Sequence, residues 1–257
     1  MARSLQSLSA KKHGHRDRDG DHKVKKYAVL AIAAAGLLAV VQAQATPVTI
    51  NVTGWAHGSP TSARVAKTTP TTVGPVNVNA GGFAVTIDGS SAVAWCADIY
   101  DNISVPGGPY THISTPAGLP AFNNSLGRLA TRALLDGLDV TATAVGKSIM
   151  SAAFQLAVWE ILYEGQGPLS LTAGDFKATN SAAAIAQADT WLGLLGSTTS
   201  QFGVHFYDDG RTRAGAAVQD LIVFKRVPVP EPGALALFLV GLGVAGAMRL
   251  RLVPTAR

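Results

Sequence analysis

GKSIMSAAFQLAVWEILYE, residues Gly146–Glu164, is the stretch on which the fold turns. Apolar residues occupy nearly every face of its 3.6-residue period, and an uninterrupted run this long reads as a helix. Gly165 and Gly167-Pro168 end it. Ile149, Ala152, Leu156, Trp159 and Tyr163 fall on one stripe, and Gln155 borders that stripe one turn before Trp159. A helix apolar almost all round is a buried helix, so other layers have to cover it.

The flanking segments supply those layers. Pro47–Trp55 (PVTINVTGW) and Gly82–Asp88 (GFAVTID) alternate as strands do, and Ala92–Asn102 (AVAWCADIYDN) is apolar enough for a central strand. The Thr/Pro/Gly/Ser-rich stretch Ser59–Pro75 is expected to be a surface loop, and 104–120 a Pro/Gly-rich loop. Asn124 is the expected N-cap of a helix running through SLGRLATRALLDGL, and Asn180–Leu195 reads as an Ala-rich helix carrying Trp191. Phe202–Tyr207 and Val218–Val227 read as a closing hairpin around Asp208-Asp209-Gly210. Strands, then helices, then strands predict an α+β fold. The expectation is a single domain with a mainly antiparallel sheet or sandwich and an inserted helical subregion, flanked by a signal peptide and a C-terminal membrane helix.

The chain has 257 residues and a net charge of +5, yet only 14% of it is charged. That charge is at the ends. Residues 1–26 carry eight Lys and Arg against three Asp, whereas the stretch from Thr46 to Arg226 carries ten cations against twelve anions. The stretch between them is thus near −2 and has no basic stripe, which removes the electrostatic footprint of a nucleic-acid partner. After the basic start comes the apolar run Tyr27–Val41 and then Ala43-Gln44-Ala45. This is the three-part pattern of a secretory signal peptide, residues 1–45, cut after Ala45; an uncleaved anchor helix is the alternative. His13, His15 and His22 fall in that discarded segment, so no metal role is assigned to them.

Prolines 228, 230 and 232 favour an extended linker before the apolar run Gly233–Met248, which is followed by Arg249 and Arg251. Arginines just beyond a membrane helix keep that end cytoplasmic and leave the body on the exported side. Pro230-Glu231-Pro232-Gly233, the Gly/Ala/Leu-rich helix over 233–248 and the basic tail 249–257 resemble the PEP-CTERM sorting signal of Gram-negative bacteria. The resemblance implies that 228–257 is a sorting segment and that an exosortase-type enzyme processes it. It also implies contact with the inner membrane before processing and delivery to the envelope, cell surface or extracellular matrix. A plain tail anchor is the other reading.

One cysteine, Cys96, excludes an intrachain disulfide and a multi-cysteine zinc site, and no cofactor motif is present. In an oxidising compartment a lone cysteine is a buried hydrophobe, half of an intermolecular disulfide, or a reacting group. Gln155 is its candidate partner, because a buried carboxamide is costly unless it is hydrogen-bonded or chemically consumed. Were strand and helix to bring Cys96 Sγ against Gln155 Cδ, the thiol would displace ammonia and leave a thioester. An incoming amine would then capture the acyl group and free the thiol.

Trp95-Cys96-Ala97 and Phe154-Gln155-Leu156-Ala157-Val158-Trp159 resemble the two elements of the thioester domains of bacterial surface adhesins. The resemblance spans 46–227 and implies an internal Cys96–Gln155 bond, with Trp159 as its packing neighbour, that captures an amine-bearing surface protein or polysaccharide. Asp98 shares the Cys96 face of the strand and either orients the thiol or holds a loop. His112 and His205 are candidate acid–base groups, with a solvated or core-satisfied imidazole as the plainer reading. Glu160 and Glu164, four apart near a helix end, are expected to face water, and His57 has no partner in the sequence. A cysteine hydrolase would need an oxyanion hole and a third member, and neither is visible. The function expected is a covalent adhesin of the cell surface or biofilm matrix, and not an enzyme. The alternative is a non-catalytic structural protein of the envelope or exopolysaccharide whose cysteine is inert.

Overall fold

The computed structural model describes residues 46–69, 71–115, 122–164, 167–209 and 218–227. The expected signal peptide with Ala43 and Ala45, and the sorting segment with Pro230, Glu231, Pro232, Gly233, Arg249 and Arg251, lie outside these residues. No helix among the described residues is long and apolar enough to cross a membrane.

The fold is α+β. Nine strands are described: β1 (Thr46–Trp55), β2 (Thr61–Lys67), β3 (Val73–Ala80), β4 (Phe83–Ile87), β5 (Ser90–Cys96), β6 (Gly107–Thr115), β7 (Phe176–Thr179), β8 (Phe202–Asp208) and β9 (Leu221–Arg226). The helices are α1 (Asn123–Leu135), α2 (Ser148–Tyr163) and α3 (Ala182–Gly193). Six strands close into an antiparallel barrel in the order β1-β4-β5-β9-β8-β6, and β3-β2-β7 form a second, small sheet. The expected antiparallel sheet is therefore a closed barrel, not an open sheet or sandwich. The helices and β7 are inserted between β6 and β8, which pair to close the barrel through Ile113↔Asp208 and Ser114↔Tyr207.

Register decides which side chains meet. Ala94 and Cys96 of β5 stand opposite Val223 and Leu221 of β9, and Ala94 also faces Phe83 of β4. Trp95 alternates to the other face together with its partner Ile222 and, two residues on, Phe224. That second face receives α2. The Phe154 ring lies 4.5 Å from Trp95 and 5.3 Å from Phe224, and all three side chains are buried. Strands covered on both faces lose their alternation, which is why Ala92–Cys96 reads as a continuous apolar run.

Several expectations are corrected. Ser59–Pro75 is not a loop, because Ala63, Val65 and Lys67 of β2 point inward while Ser62 and Arg64 point out. The expected loop 104–120 contains β6, whose Tyr-Thr-His-Ile-Ser-Thr alternation begins only after Gly107-Gly108-Pro109. Asn124 lies inside α1, whose cap position is Phe122 with no side-chain hydrogen bond. The strand expected to reach Asn102 stops at Cys96. In α2 every residue from Ser151 to Ile161 is buried, while Ile149, placed on the stripe, is 44% exposed.

Gly82 makes the Trp95 packing possible. A Cβ there would come within 2.9 Å of the indole ring, which Phe154 and His57 hold from other sides. Gly82→Ala should therefore cost about 1–3 kcal/mol through overpacking, measured by urea denaturation. An unchanged midpoint would show that the ring has room to move.

Candidate functional site

The site begins with an interruption in the sheet. Pairing of β4 with β5 stops at Phe83↔Ala94, because the chain before Phe83 turns away: Gly82 C=O accepts from Ala56 N–H at 2.8 Å and Gly82 N–H donates to Ser151 Oγ at 2.9 Å. On the opposite side Ala97 N–H still donates to Asp220 C=O of the approach to β9. The main-chain groups of Cys96 on the vacated side need partners, since a buried peptide group left unpaired is costly.

Gln155 supplies both. Cys96 N–H donates to Gln155 Oε1 at 2.9 Å, and Gln155 Nε2–H donates to Cys96 C=O at 2.9 Å. The carboxamide thus takes the position of a peptide group in a neighbouring strand. Gln155 is 0% and Cys96 3% exposed, so water has almost no access to the pair. Burial, followed by the nearby Asp98 charge, pushes the Cys96 thiol well above its usual value, so the sulfur is protonated in the resting protein.

Trp159, one turn beyond Gln155, lies with Cys96 on the wall of a cavity of about 360 Å³. Trp55, Phe83, Asn77, Asn79, Asp101, Asn102 and Gln219 are among its other lining residues. Trp95 and Phe154 lie behind the pair, in the core, and take no part in the cavity lining.

Asp98 holds a loop. Its Oδ1 accepts from Tyr100 and Asp101 N–H at 2.9 and 3.0 Å, and its Oδ2 accepts from Asp220 N–H at 2.7 Å. Burial raises its pKa against the lowering effect of these bonds. Gln219 Nε2–H donates to Asp98 C=O at 2.8 Å, and His112 Nε2 meets Gln219 C=O at 3.1 Å. His112 is therefore on β6, fully buried, rather than in a loop, and it supports Gln219. His205 stands on β8 opposite Val223, two pairs removed from the Leu221–Cys96 pair, and burial, then Lys225, lowers its pKa. The structure joins Cys96 and Gln155 and adds Trp159; the two histidines belong to other surroundings.

Three groups escaped sequence reasoning. His57 is buried and lies 5.5 Å from Trp95 in a stacked arrangement. Its ring nitrogens meet Ser151 Oγ at 3.2 Å and Asp139 C=O at 3.3 Å. Burial lowers its pKa, so a neutral ring donates to Asp139 and accepts from Ser151. Asp208, Asp209 and Asp220 bring carboxylate oxygens within 4.8 Å of one another. Their bonds from Asp209 N–H to Asp220 Oδ1 and from Val218 N–H to Asp209 Oδ2 tie the end of β8 to the approach to β9. Lys67 is buried with its Nζ 4.9 Å from the ring centres of both Tyr100 and Tyr163, and it donates to Thr69 C=O. The cation thereby ties β2 to α2 and to the loop after Cys96. Alternation in TSARVAK was the one available signal for it.

No family model, curated protein or solved structure matches this chain.

Glu160 is a further correction, because it is 0% exposed and does not face water. Its Oε1 accepts from Ser170 N–H at 2.6 Å, and Glu164 Oε2 likewise accepts from Asp175 N–H at 2.7 Å. Burial, with help from Glu164 and Asp189, raises the Glu160 pKa to about 7. A carboxyl group with a raised folded-state pKa holds its proton longer when folded than when unfolded. Its contribution to stability is thus present below about pH 4.5 and is lost as pH rises to about 7. Glu160→Gln should gain about 1–3 kcal/mol relative to the parent between pH 5 and pH 8, read by urea denaturation at both. A pH-independent difference would mean that Glu160 titrates normally.

Proposed function

We propose that this chain is an exported envelope or matrix protein that attaches covalently to amine-bearing surfaces through a thioester between Cys96 and Gln155. One observation carries the reading: the Gln155 carboxamide is held by both its polar atoms on the main chain of the protein's only cysteine, with water excluded. Export and sorting are read from 1–45 and 228–257, where the signal-peptide and PEP-CTERM patterns lie.

The hydrogen bonds are suited to the chemistry. Cys96 N–H points at Oε1, the atom on which negative charge collects when sulfur attacks Cδ. Nε2–H on Cys96 C=O orients the departing nitrogen. Sγ forms a bond to Cδ, the Cδ–Nε2 bond breaks, and the thiol proton leaves with that nitrogen as ammonia. Because burial disfavours a free thiolate, this proton passes at the moment of attack rather than before it. The burial of Gln155 and Cys96 then limits the approach of water to the acyl bond until an amine arrives.

A second reading has its own support. The same two hydrogen bonds satisfy the buried carboxamide, so Gln155 has a place in the fold without any reaction, as in a structural envelope protein with an inert cysteine. A cysteine hydrolase fits less well, since the thiol is driven towards its neutral form and His112 and His205 attend to other elements.

Intact mass measurement of the unreduced exported protein separates the readings. The thioester predicts a mass one ammonia below that of the processed sequence, a methylamine adduct on the Gln155 peptide, and loss of both in Cys96→Ala. A full sequence mass with a slowly titrating thiol would leave the inert cysteine standing.

A further inference from the structure

The cavity beside Cys96 is wider than an alkylamine needs. Its volume of about 360 Å³ lies in the range of sites for whole small molecules. Three of its lining residues, Asp101, Asn102 and Gln219, carry a carboxamide or carboxylate. Carboxamides offer both donors and acceptors, which is what a ring of hydroxyl groups requires. Asp101 is the one charged residue among those lining the cavity, and its carboxylate accepts hydrogen bonds of the kind a hydroxyl group donates. Trp55 adds an aromatic face.

An independent observation points to a ligand there. Trp159 also lines the cavity, is 2% exposed, and its buried indole N–H donates to nothing among the described residues. A buried donor without an acceptor is costly, and an oxygen of a bound molecule would relieve it.

The surroundings also constrain the amine. Neither His112 nor His205 is among the described lining residues, so no imidazole there takes a proton from an attacking ammonium ion. A carboxylate is too weak a base to deprotonate a lysine ammonium. The nucleophile therefore arrives already as the free amine. An amino group on a sugar ring meets this condition better than a lysine, because adjacent hydroxyl and ring oxygens withdraw electrons and lower its basicity.

We propose that the captured amine belongs to a hexosamine unit of an aminated polysaccharide. Its hydroxyls engage the carboxamides, one oxygen accepts from Trp159 Nε1–H, and its nitrogen attacks the Gln155 acyl carbon. The carbon–sulfur bond breaks, an amide forms, and the proton released by the amine goes to Cys96 sulfur. This assignment rests on the thioester reading.

The test compares glucosamine with methylamine, Nα-acetyl-lysine methylamide and glycinamide, the last an amine of low basicity without a ring. Each is incubated at neutral pH with the unreduced exported protein, and adduct formation on the Gln155 peptide is followed by mass. Glucosamine should react about tenfold faster than glycinamide and the lysine amide. Asn102→Ala and Asp101→Ala should slow glucosamine about tenfold more than they slow methylamine. Addition of methylamine with no advantage for glucosamine, or variants that slow every amine alike, would overturn the sugar assignment alone. No adduct with any amine, together with a titratable Cys96 thiol, would overturn the thioester and the sugar assignment with it.

Discussion

The place where β4 stops pairing with β5 governs the arrangement around Cys96. Had the hairpin continued two pairs further, to Gly81 opposite Cys96, the Cys96 peptide groups would have found a strand partner. Because it ends at Phe83↔Ala94, a buried gap remains that only an intruding polar side chain can fill. Gln155 fills it, and in doing so it fixes the rotation of α2 about its own axis. With that rotation set, Phe154 is directed to Trp95 and Phe224 on the core side, and Trp159 comes to the cavity.

The ionisable groups around this gap are held towards their neutral forms. Burial raises Asp98, takes Asp220 up to about 7 and pushes up the Cys96 thiol, and it lowers His57. The carboxylates that remain spend their oxygens on backbone N–H groups of adjacent turns, as Asp98 does for Tyr100, Asp101 and Asp220. Such surroundings favour uncharged groups over buried ion pairs.

Local pattern explains which parts of this were legible in the sequence. Helix α2 could be read because apolar residues fill its whole circumference, and β1, β4, β8 and β9 because they alternate or run apolar between turn residues. Strand β2 was hidden by its threonine and serine, which mark loops and edge strands equally, and β7 by having only four residues. Glu160 and Glu164 carry the spacing of a solvated face. Glu160 is nevertheless buried and Glu164 half-buried, with Ser170 and Asp175 of the connection that follows α2 donating their N–H groups to them. His57 had no visible partner because Ser151 and Asp139 come 94 and 82 residues later. Cys96 and Gln155 could be paired as residue types, whereas the main-chain hydrogen bonds between them depend on strand lengths that composition does not encode.

The strand order also sets how the molecule would carry a mechanical load. Strand β9 runs antiparallel beside β5, meets Cys96 at its first residue, Leu221, and ends at Arg226. Tension between the Cys96 end of β5 and the outgoing end of β9 acts along the strand axes in opposite directions. The hydrogen bonds between the two strands are then strained together in shear instead of being peeled apart in turn. A load applied at the Cys96 end of β5 and at the outgoing end of β9 would thus fall on the three residue pairs Ala94↔Val223, Trp95↔Ile222 and Cys96↔Leu221 together.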